Sequence, residues 1–375
     1  MQPVKVLTNI LLMLAAFSSG FGQKIQRFAG NKPIDTTFNQ LISHFDELHS
    51  YRKDTLRLPN LLVTEKYKVV LADTALHLTK QRRVVTNPFS ADKYPISYSI
   101  LYRNNLISLF SPGYFACFTI DDWQRNLALE KTLNTKRFKR HWLVDGQLIG
   151  LAAGQYWQLT TDNRWRPYKK SIPFGERPKL FEDATYLVYN ECNGEFGGRV
   201  FFFDKQTKKT YWMESTCAVW VRRSSAGYEV MSSLGHGMGS ADKQLIGDPH
   251  SLPAWAGKPA SRVAATNSLS KSTTLFDLYG VQLFGGVARD QQIFYLAHIL
   301  DRTCLVSLLG STFTVVDALF NDGLYTHQPA TTNYDGIYVI NLDFYGIGRY
   351  REVSLLVLKN DKLTLLDWHE LHPRF

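Results

Sequence analysis

The chain has 375 residues, of which 45% are hydrophobic, so it is long enough to bury a sizeable core. Lysine and arginine number 43 against 33 aspartates and glutamates, and the formal net charge of +10 admits an anionic partner. No apolar run reaches the roughly 18 residues that a membrane-spanning helix needs, and no Cys-x-x-Cys pair supports a zinc ribbon or a thioredoxin-like site.

The first 22 residues have the features of a secretory signal peptide. Lys5 precedes an apolar segment from about Ile10 to Phe17, and Gly20 and Gly22 provide the small residues of a signal peptidase site. The alternative is a short buried strand. Export predicts a product that is secreted, periplasmic or held at the cell surface, where we expect no nucleic-acid partner.

Residues 23–50 form a separate N-terminal segment. Apolar side chains recur there at helical spacing, and Asp35 or Thr36 can cap the first turn. The apolar positions are Phe38, Leu41, Ile42, Phe45 and Leu48. This pattern predicts one short amphipathic helix, from about Thr37 to His49, that packs against the main body.

Beyond residue 50, short runs of β-branched and aromatic residues alternate with turn residues, which is typical of strands. The clearest runs are Tyr186–Glu191, Arg199–Asp204, Thr210–Glu214, Ala218–Arg222 and Tyr228–Leu234. Glycine-containing turns separate several of them, and none has a helical period. The stretch therefore predicts consecutive hairpins in an antiparallel sheet.

Hairpin turns also recur at a regular interval. Gly154 follows Asn104 by 50 residues, and Asn360 follows Gly310 by 50. A four-stranded sheet with short turns takes about 40 to 50 residues, the size of one β-propeller blade. Residues 51–375 are therefore predicted to form an all-β propeller of seven blades, with six as the alternative.

One long segment, from Gly247 to Thr274, is rich in proline, serine, alanine and glycine and poor in strand patterns. We predict a long loop on one blade, because loops of this length are commonly functional. The alternative is a linker between two smaller β domains.

In blade length, hairpin density and recurrent aromatic residues, the chain resembles β-propellers over most of its length. The resemblance is architectural, because no Trp-Asp dipeptide ends each blade. The tandem glycines, Gly197-Gly198 and Gly285-Gly286, are not one blade apart as a kelch pattern requires. The resemblance implies a ligand at the channel face, and it assigns no functional residue and no cofactor.

The four cysteines allow three pairings. Cys192 and Cys217 flank neighbouring predicted strands, so we predict a disulfide between them, compatible with export. The other two cysteines are Cys117 and Cys304. The alternative is four buried, unpaired cysteines.

Two turns carry polar groups suited to catalysis or binding. Glu191 and Glu195 flank Asn193, and paired carboxylates can serve as acid and base in glycoside hydrolysis. His236 lies between glycines, which would expose its imidazole to a ligand. The alternatives are a turn that bonds its own backbone and a hydrogen-bonded loop histidine.

Loops at other predicted blade ends add His250, Tyr325 and His327 to Asn193 and His236 as candidate binding residues. If the blades close into a ring, His236 and His327 approach each other across the channel. The alternative is two unrelated loop histidines, and no metal site is assigned.

Two function classes fit this sequence. The first is an exported propeller that binds a glycan, a peptide or a protein as a module or scaffold. The second is a carbohydrate-active hydrolase or lyase that uses Glu191 or Glu195 with a histidine. The basic, aromatic stretches at residues 136–142 and 164–170 fit an anionic partner, or else a solvated sheet edge.

Overall fold

The structure is a computed structural model. It describes residues 60–63, 67–72, 76, 78–89, 95–170, 172–173, 175–235, 239–257, 271–289, 292–299, 302–319, 326, 328–342 and 353–369. The predicted signal peptide and the predicted helix between Thr37 and His49 lie outside these residues.

Three strands precede the blades: β1 (Asn60–Val63), β2 (Lys68–Leu71) and β3 (Thr79–Thr86). Blade 1 contains β4 (Ile100–Tyr102), β5 (Asn105–Phe110) and β6 (Tyr114–Thr119). Blade 2 contains β7 (Arg140–Val144), β8 (Gln147–Ala152), β9 (Gln155–Leu159) and β10 (Trp165–Pro167). Blade 3 contains β11 (Lys179–Glu182), β12 (Tyr186–Cys192), β13 (Gly198–Asp204) and β14 (Thr210–Glu214).

Blade 4 contains β15 (Ala218–Ser224), β16 (Gly227–Leu234), β17 (Ser240–Ile246) and β18 (Thr273–Tyr279). Blade 5 contains β19 (Gln282–Arg289), β20 (Gln292–Ile299), β21 (Arg302–Leu309) and β22 (Thr312–Ala318). Blade 6 contains β23 (Ala330–Tyr334), β24 (Ile337–Asn341), β25 (Val353–Lys359) and β26 (Lys362–His369). Within each blade the strands pair antiparallel in chain order, so each blade is a meander.

The blades close into a ring. Six clusters of buried apolar side chains lie between neighbouring blades, one for each pair, including blade 6 and blade 1. At that last seam Trp368 of blade 6 packs against Phe110 of blade 1, with ring centroids 4.9 Å apart. Asn341 of blade 6 accepts a hydrogen bond from Ser99 N and donates one to Ser99 O. The chain is therefore an all-β propeller, as predicted.

The described residues form six sheets, so the prediction of seven blades is not met and the alternative of six is. The described strands before blade 1 do not build a sheet of their own. Strand β2 pairs parallel with β22 at the outer edge of blade 5, and β3 pairs parallel with β26 at the outer edge of blade 6. The extra strands widen two existing blades instead of adding one.

The hairpin turns follow the local sequence. At Ala153-Gly154 and Asp145-Gly146, both turn residues have positive φ, which is the type I′ geometry that suits twisted strands. The pair Arg103 and Asn104 has the same geometry, so this turn begins one residue before the predicted Asn104. The loop predicted after Gly247 joins β17 to β18, which are neighbours in blade 4.

The one α-helix among the described residues, α1 (Leu127–Leu133), covers the outer strand of blade 1. Asn126 caps its first turn by accepting from Leu129 N. Glu130 accepts a hydrogen bond from Cys117 N. The side chain of Asn134 accepts one from Phe115 N and donates one to Phe115 O. These side chains pair with backbone groups at the outer edge of β6, so α1 takes the place of a fourth strand.

Candidate functional site

The first strands of the blades surround a crowded channel. A Cβ on Gly285 would lie 2.7 Å from Thr331 Cβ of blade 6, and one on Gly286 would lie 2.6 Å from the Trp220 ring of blade 4. Real Cβ atoms do not approach this closely, so the glycine pair allows β19 to pack against its neighbours. Two cavities lie along the channel, one toward each end of the inner strands.

The larger cavity, here called the wide mouth, has a volume of about 1240 Å³. It lies where the inner strands end, and residues from all six blades line it. Its main segments are 101–104, 145–147, 179–184, 220–223 and 332–335. Sheet closure brings together segments that are far apart in sequence, so this site could not be read from one motif.

Charges of both signs line the wide mouth. The cations are Arg103, Lys179, Lys205, Arg222 and Arg223, and the anions are Asp145, Glu182, Asp183 and Asp335. Most form ion pairs with each other, which fixes their positions before any ligand binds. The lining also includes aromatic residues such as Tyr102 and Phe181.

A chain of four charges links blades 2 and 3 at this rim. Lys205 Nζ lies 2.7 Å from both Asp145 Oδ1 and Glu182 Oε1, and Lys179 Nζ lies 2.6 Å from Glu182 Oε2. Burial lowers the pKa of Lys179, with Glu182 opposing that effect. Burial also acts to lower the pKa of Lys205, but its bonds to the two carboxylates raise it. Both lysines are held in place by carboxylates.

The rim continues on blade 4. Arg223 Nη1 lies 3.2 Å from Asp183 Oδ2, and Tyr228 donates a 2.7 Å hydrogen bond to the same oxygen. Burial acts to raise the pKa of Asp183, but hydrogen bonds from Tyr186 N and Tyr228 lower it overall. The guanidinium of Arg223 is still exposed, so it can reach a ligand without breaking this network.

The smaller cavity, here called the narrow end, lies where the inner strands begin and has a volume of about 230 Å³. Buried His141 lines it, with Nε2 3.2 Å from Ile107 O. Burial lowers the pKa of His141 to about 4, so the ring is neutral at ordinary pH. Buried Asn190, whose Nδ2 donates to Ala218 O, lines the same cavity.

Glu191 lies beside the narrow end and is held by two arginines. Its Oε2 accepts a 2.5 Å hydrogen bond from Arg177, and its Oε1 accepts one of 2.8 Å from Arg199. Arg177 precedes β11 and Arg199 lies in β13, so the two ion pairs hold Glu191 of β12 between the segments on either side of it.

The turn after Glu191 is exposed. Asn193 precedes a 3-10 helix, Gly194–Phe196, in which Glu195 and Phe196 face solvent. A disulfide joins Cys192 to Cys217, as predicted, and connects blade 3 to the start of blade 4. Cys117 and Cys304 are both buried.

His250 lies at the opposite end of β12 from Glu191. It is in a second 3-10 helix, Pro249–Ser251, and its Nε2 lies 2.8 Å from Asp204 Oδ2. The bond to Asp204 is the main cause that raises the pKa of His250. Burial acts to raise the pKa of Asp204, but hydrogen bonds from Thr207 and His250 lower it to about 2.

The fold does not bring the candidate residues His250 and Glu191 together. His250 contacts Tyr186 at the start of β12, whereas Glu191 lies near its end, about 17 Å away at strand geometry. His236, Tyr325 and His327 lie outside the described residues.

Within the described part of the chain, no three metal-ligating side chains group together, and no helix is long and apolar enough to cross a membrane.

Sequence reasoning missed most of the wide mouth. Glu182 is paired with Lys205 from a later turn of the same blade, and Asp183 with Arg223 from blade 4, so neither ion pair could be read from the sequence. The basic stretch at residues 136–142 did contain a signal, because Arg140, His141 and Trp142 line the narrow end. In the sequence, nothing distinguished His141 from a solvated edge residue.

No protein-family model and no curated protein matches the chain. Similar solved structures include a protein of unknown function from Bacteroides caccae, at 10% identity and a TM-score of 0.38, over 71% of this chain and 93% of that one. The Neurospora crassa Pan2 WD40 domain is similar at 7% identity and a TM-score of 0.37, over 74% and 80%. BamB from Moraxella catarrhalis is similar at 9% identity and a TM-score of 0.33, over 76% and 72%. Because these identities and TM-scores are low, the chain is assigned as a propeller on its own sheet topology and closed ring.

Proposed function

We propose that the protein is an exported propeller that works as a binding module or scaffold, and that it binds a segment of a partner protein in the wide mouth. The observation that carries this proposal is the cavity of about 1240 Å³ into which all six blades project residues. That volume exceeds the roughly 300 to 1,000 Å³ of small-molecule sites, so it suits a stretch of polypeptide.

The charge pattern favours a protein over a uniformly charged ligand. Among the described residues, five cationic and four acidic side chains line the cavity, so neither sign dominates there. A peptide can present charges of both signs and aromatic side chains at once, whereas an acidic glycan presents only anions. The ion pairs at the rim lower the entropy cost of binding, because Lys205 and Arg223 are already positioned.

Peptide selection tests this proposal. A random peptide library displayed on phage is selected on the full chain, and the affinity of the selected peptides is measured on charge-reversed variants. We expect Arg103→Glu with Arg223→Glu to weaken binding at least tenfold, a change of about 1.4 kcal/mol. The matched control, Arg164→Glu with Arg166→Glu, makes the same charge change outside the cavity lining. Equal affinity for both double variants would contradict the proposal.

Export is supported by two features of the chain. The signal pattern within residues 1–22 predicts secretion, and the Cys192–Cys217 disulfide suits an oxidising compartment. Expression of the full chain in a secreting host, followed by N-terminal mass analysis of the exported product, tests this. We expect a mature chain that begins near Gln23, and an uncleaved chain retained inside the cell would contradict export.

A further inference from the structure

Two basic stretches of the sequence, one around Lys136 and one around Lys169, meet on the outer side of blade 2. Lys136 lies over the ring of Trp157 in β9, with its Nζ 3.8 Å from the ring centroid. Trp157 is directly opposite Pro167, the last residue of β10, and Lys169 follows two residues later. The two stretches are therefore neighbours in the fold, although strands β7, β8 and β9 separate them in the sequence.

Five cations on this surface form no ion pair with a carboxylate of the described residues. They are here called the basic band, and they are Lys131 in α1, Lys136 and Arg137 in the loop that follows it, and Lys169 and Lys170 after β10. All are exposed except Lys136, which is half-buried. Like charges held on one surface repel each other, so an anion that neutralises several of them at once binds favourably.

Four acidic side chains lie close to the band in the described part of the chain, and each has a cationic partner outside the band. The pairs are Glu130 with Arg125 (2.5 Å), Asp162 with Arg166 (3.3 Å), Glu176 with Lys139 (2.5 Å) and Asp145 with Lys205 (2.7 Å). These carboxylates therefore balance other cations, and the charge of the band itself is left for a ligand.

Protection of a sheet edge does not account for the band. Lysine and arginine on an outer strand discourage pairing with other chains. However, β10 is only three residues long, and it ends with Pro167, which has no N–H to donate. Lys131, Lys136 and Arg137 lie in α1 and the loop after it, outside any strand. These positions suit a ligand that crosses from blade 1 to blade 2.

The shape of the band favours a flexible polymer over a flat membrane. In a closed ring the outer edges of blade 1 and blade 2 face different directions, so a flat bilayer would contact only part of the band. Leu127 is exposed on α1, but one leucine supplies little of the apolar area that membrane-surface helices insert. Trp165 is half-buried and packs against Phe138, with ring centroids 4.5 Å apart.

We propose that the basic band binds an anionic polysaccharide, whose carboxylate or sulfate groups pair with the five cations as the polymer crosses from α1 to the end of β10. Such polymers carry anions at regular intervals and occur outside cells, where the predicted signal peptide would deliver this chain. The site is separate from the wide mouth, because none of the five cations lines that cavity. It does not depend on the proposed peptide binding.

The test measures the affinity of the full chain for two size-defined probes, a heparin decasaccharide and a galacturonate decamer, at low salt. The wild type should bind at least one of them. Lys169→Glu with Lys170→Glu should weaken that binding at least tenfold, and Lys131→Glu with Lys136→Glu should do the same at the other end of the band. Added salt should weaken the wild type more steeply than either double variant, because fewer counterions are released when fewer cations engage.

The matched control is Lys208→Glu with Lys209→Glu. It reverses two exposed, consecutive lysines on the hairpin between β13 and β14, so the net charge changes by the same amount on blade 3. We expect less than a twofold change in affinity for either probe. Thermal unfolding of each double variant checks that the fold is retained.

Two results would overturn the proposal. One is equal weakening by the control and by the band variants, which would mean that net charge and not the band attracts the polymer. The other is a wild type that binds neither probe, and binding to phosphatidylglycerol vesicles would then assign the surface to a membrane. The phage-selected peptides should bind the band variants as tightly as the wild type, so failure of one proposal can be told from failure of the other.

Discussion

Asp242 is the acidic side chain with the clearest pH dependence. It lies directly opposite Asp277 across the pairing of β17 with β18 and is half-buried. Burial, aided by the charge of Asp277, raises the pKa of Asp242 to about 6. The folded protein therefore holds this proton to a higher pH than the unfolded chain does, where the pKa is about 3.9.

Replacing this carboxyl should stabilise the protein at neutral and higher pH. The free energy of unfolding of the wild type falls as the pH rises from about 4 to 6, because the unfolded chain releases the Asp242 proton first. Asp242→Asn should raise the free energy of unfolding at pH 8 by about 3 kcal/mol and leave it nearly unchanged at pH 4. Urea unfolding at the two pH values measures this, and an equal change at both would show that ionisation is not the cause.

Single residues were predictable where they act locally. The Cys192–Cys217 pairing followed from two strands that neighbour each other in the sequence. Glu191 was correctly placed beside a turn, but its two arginine partners could not be inferred, since the register of three strands decides them. The bond between His141 and Ile107, which lies in another blade, had no signal in the sequence.

At the scale of strands, the tandem glycines of β19 determine how tightly the inner strands pack. Gly285→Ala should cost about 2 kcal/mol or more, because its methyl group would overlap the side chain of Thr331. Gly247→Ala is the matched control, since its Cβ would meet nothing closer than 3.9 Å. Thermal and urea unfolding compare the two variants. Equal stabilities would show that β19 does not approach β23 as described.

The disulfide connects two blades, so its loss should loosen their seam. Cys192→Ala with Cys217→Ala should lower the free energy of unfolding by about 3 kcal/mol, the chain-entropy value for a loop of this size. Reductant should lower the wild-type value similarly and leave the double variant unchanged. A wild type that reductant does not affect would contradict the pairing.

Elements were predicted best where turn chemistry is local. The turns at Ala153-Gly154, Gly310-Ser311 and Asn360-Asp361 fall between paired strands at the predicted residues. The helix α1 was not predicted, because seven residues carry too short a period to separate from a strand. Its role comes from Glu130 and Asn134, which bond the edge of β6.

For the whole molecule, the repeat interval was enough to predict a propeller but not the number of its blades. Dividing the length by the interval assumes that every segment builds its own sheet. Strands β2 and β3 break this assumption, because they pair with the outer edges of blades 5 and 6. Both pairings are parallel and join residues far apart in the sequence, so no hairpin turn in the sequence predicts them.

The wide mouth is likewise a property of the closed ring, since its lining comes from every blade. Hydrogen–deuterium exchange of the full chain, with and without a selected peptide, tests this claim most directly. We expect peptide binding to slow exchange in five segments together: residues 101–104, 145–147, 179–184, 220–223 and 332–335. Slower exchange confined to one blade, or to strands at the outer edge, would contradict it.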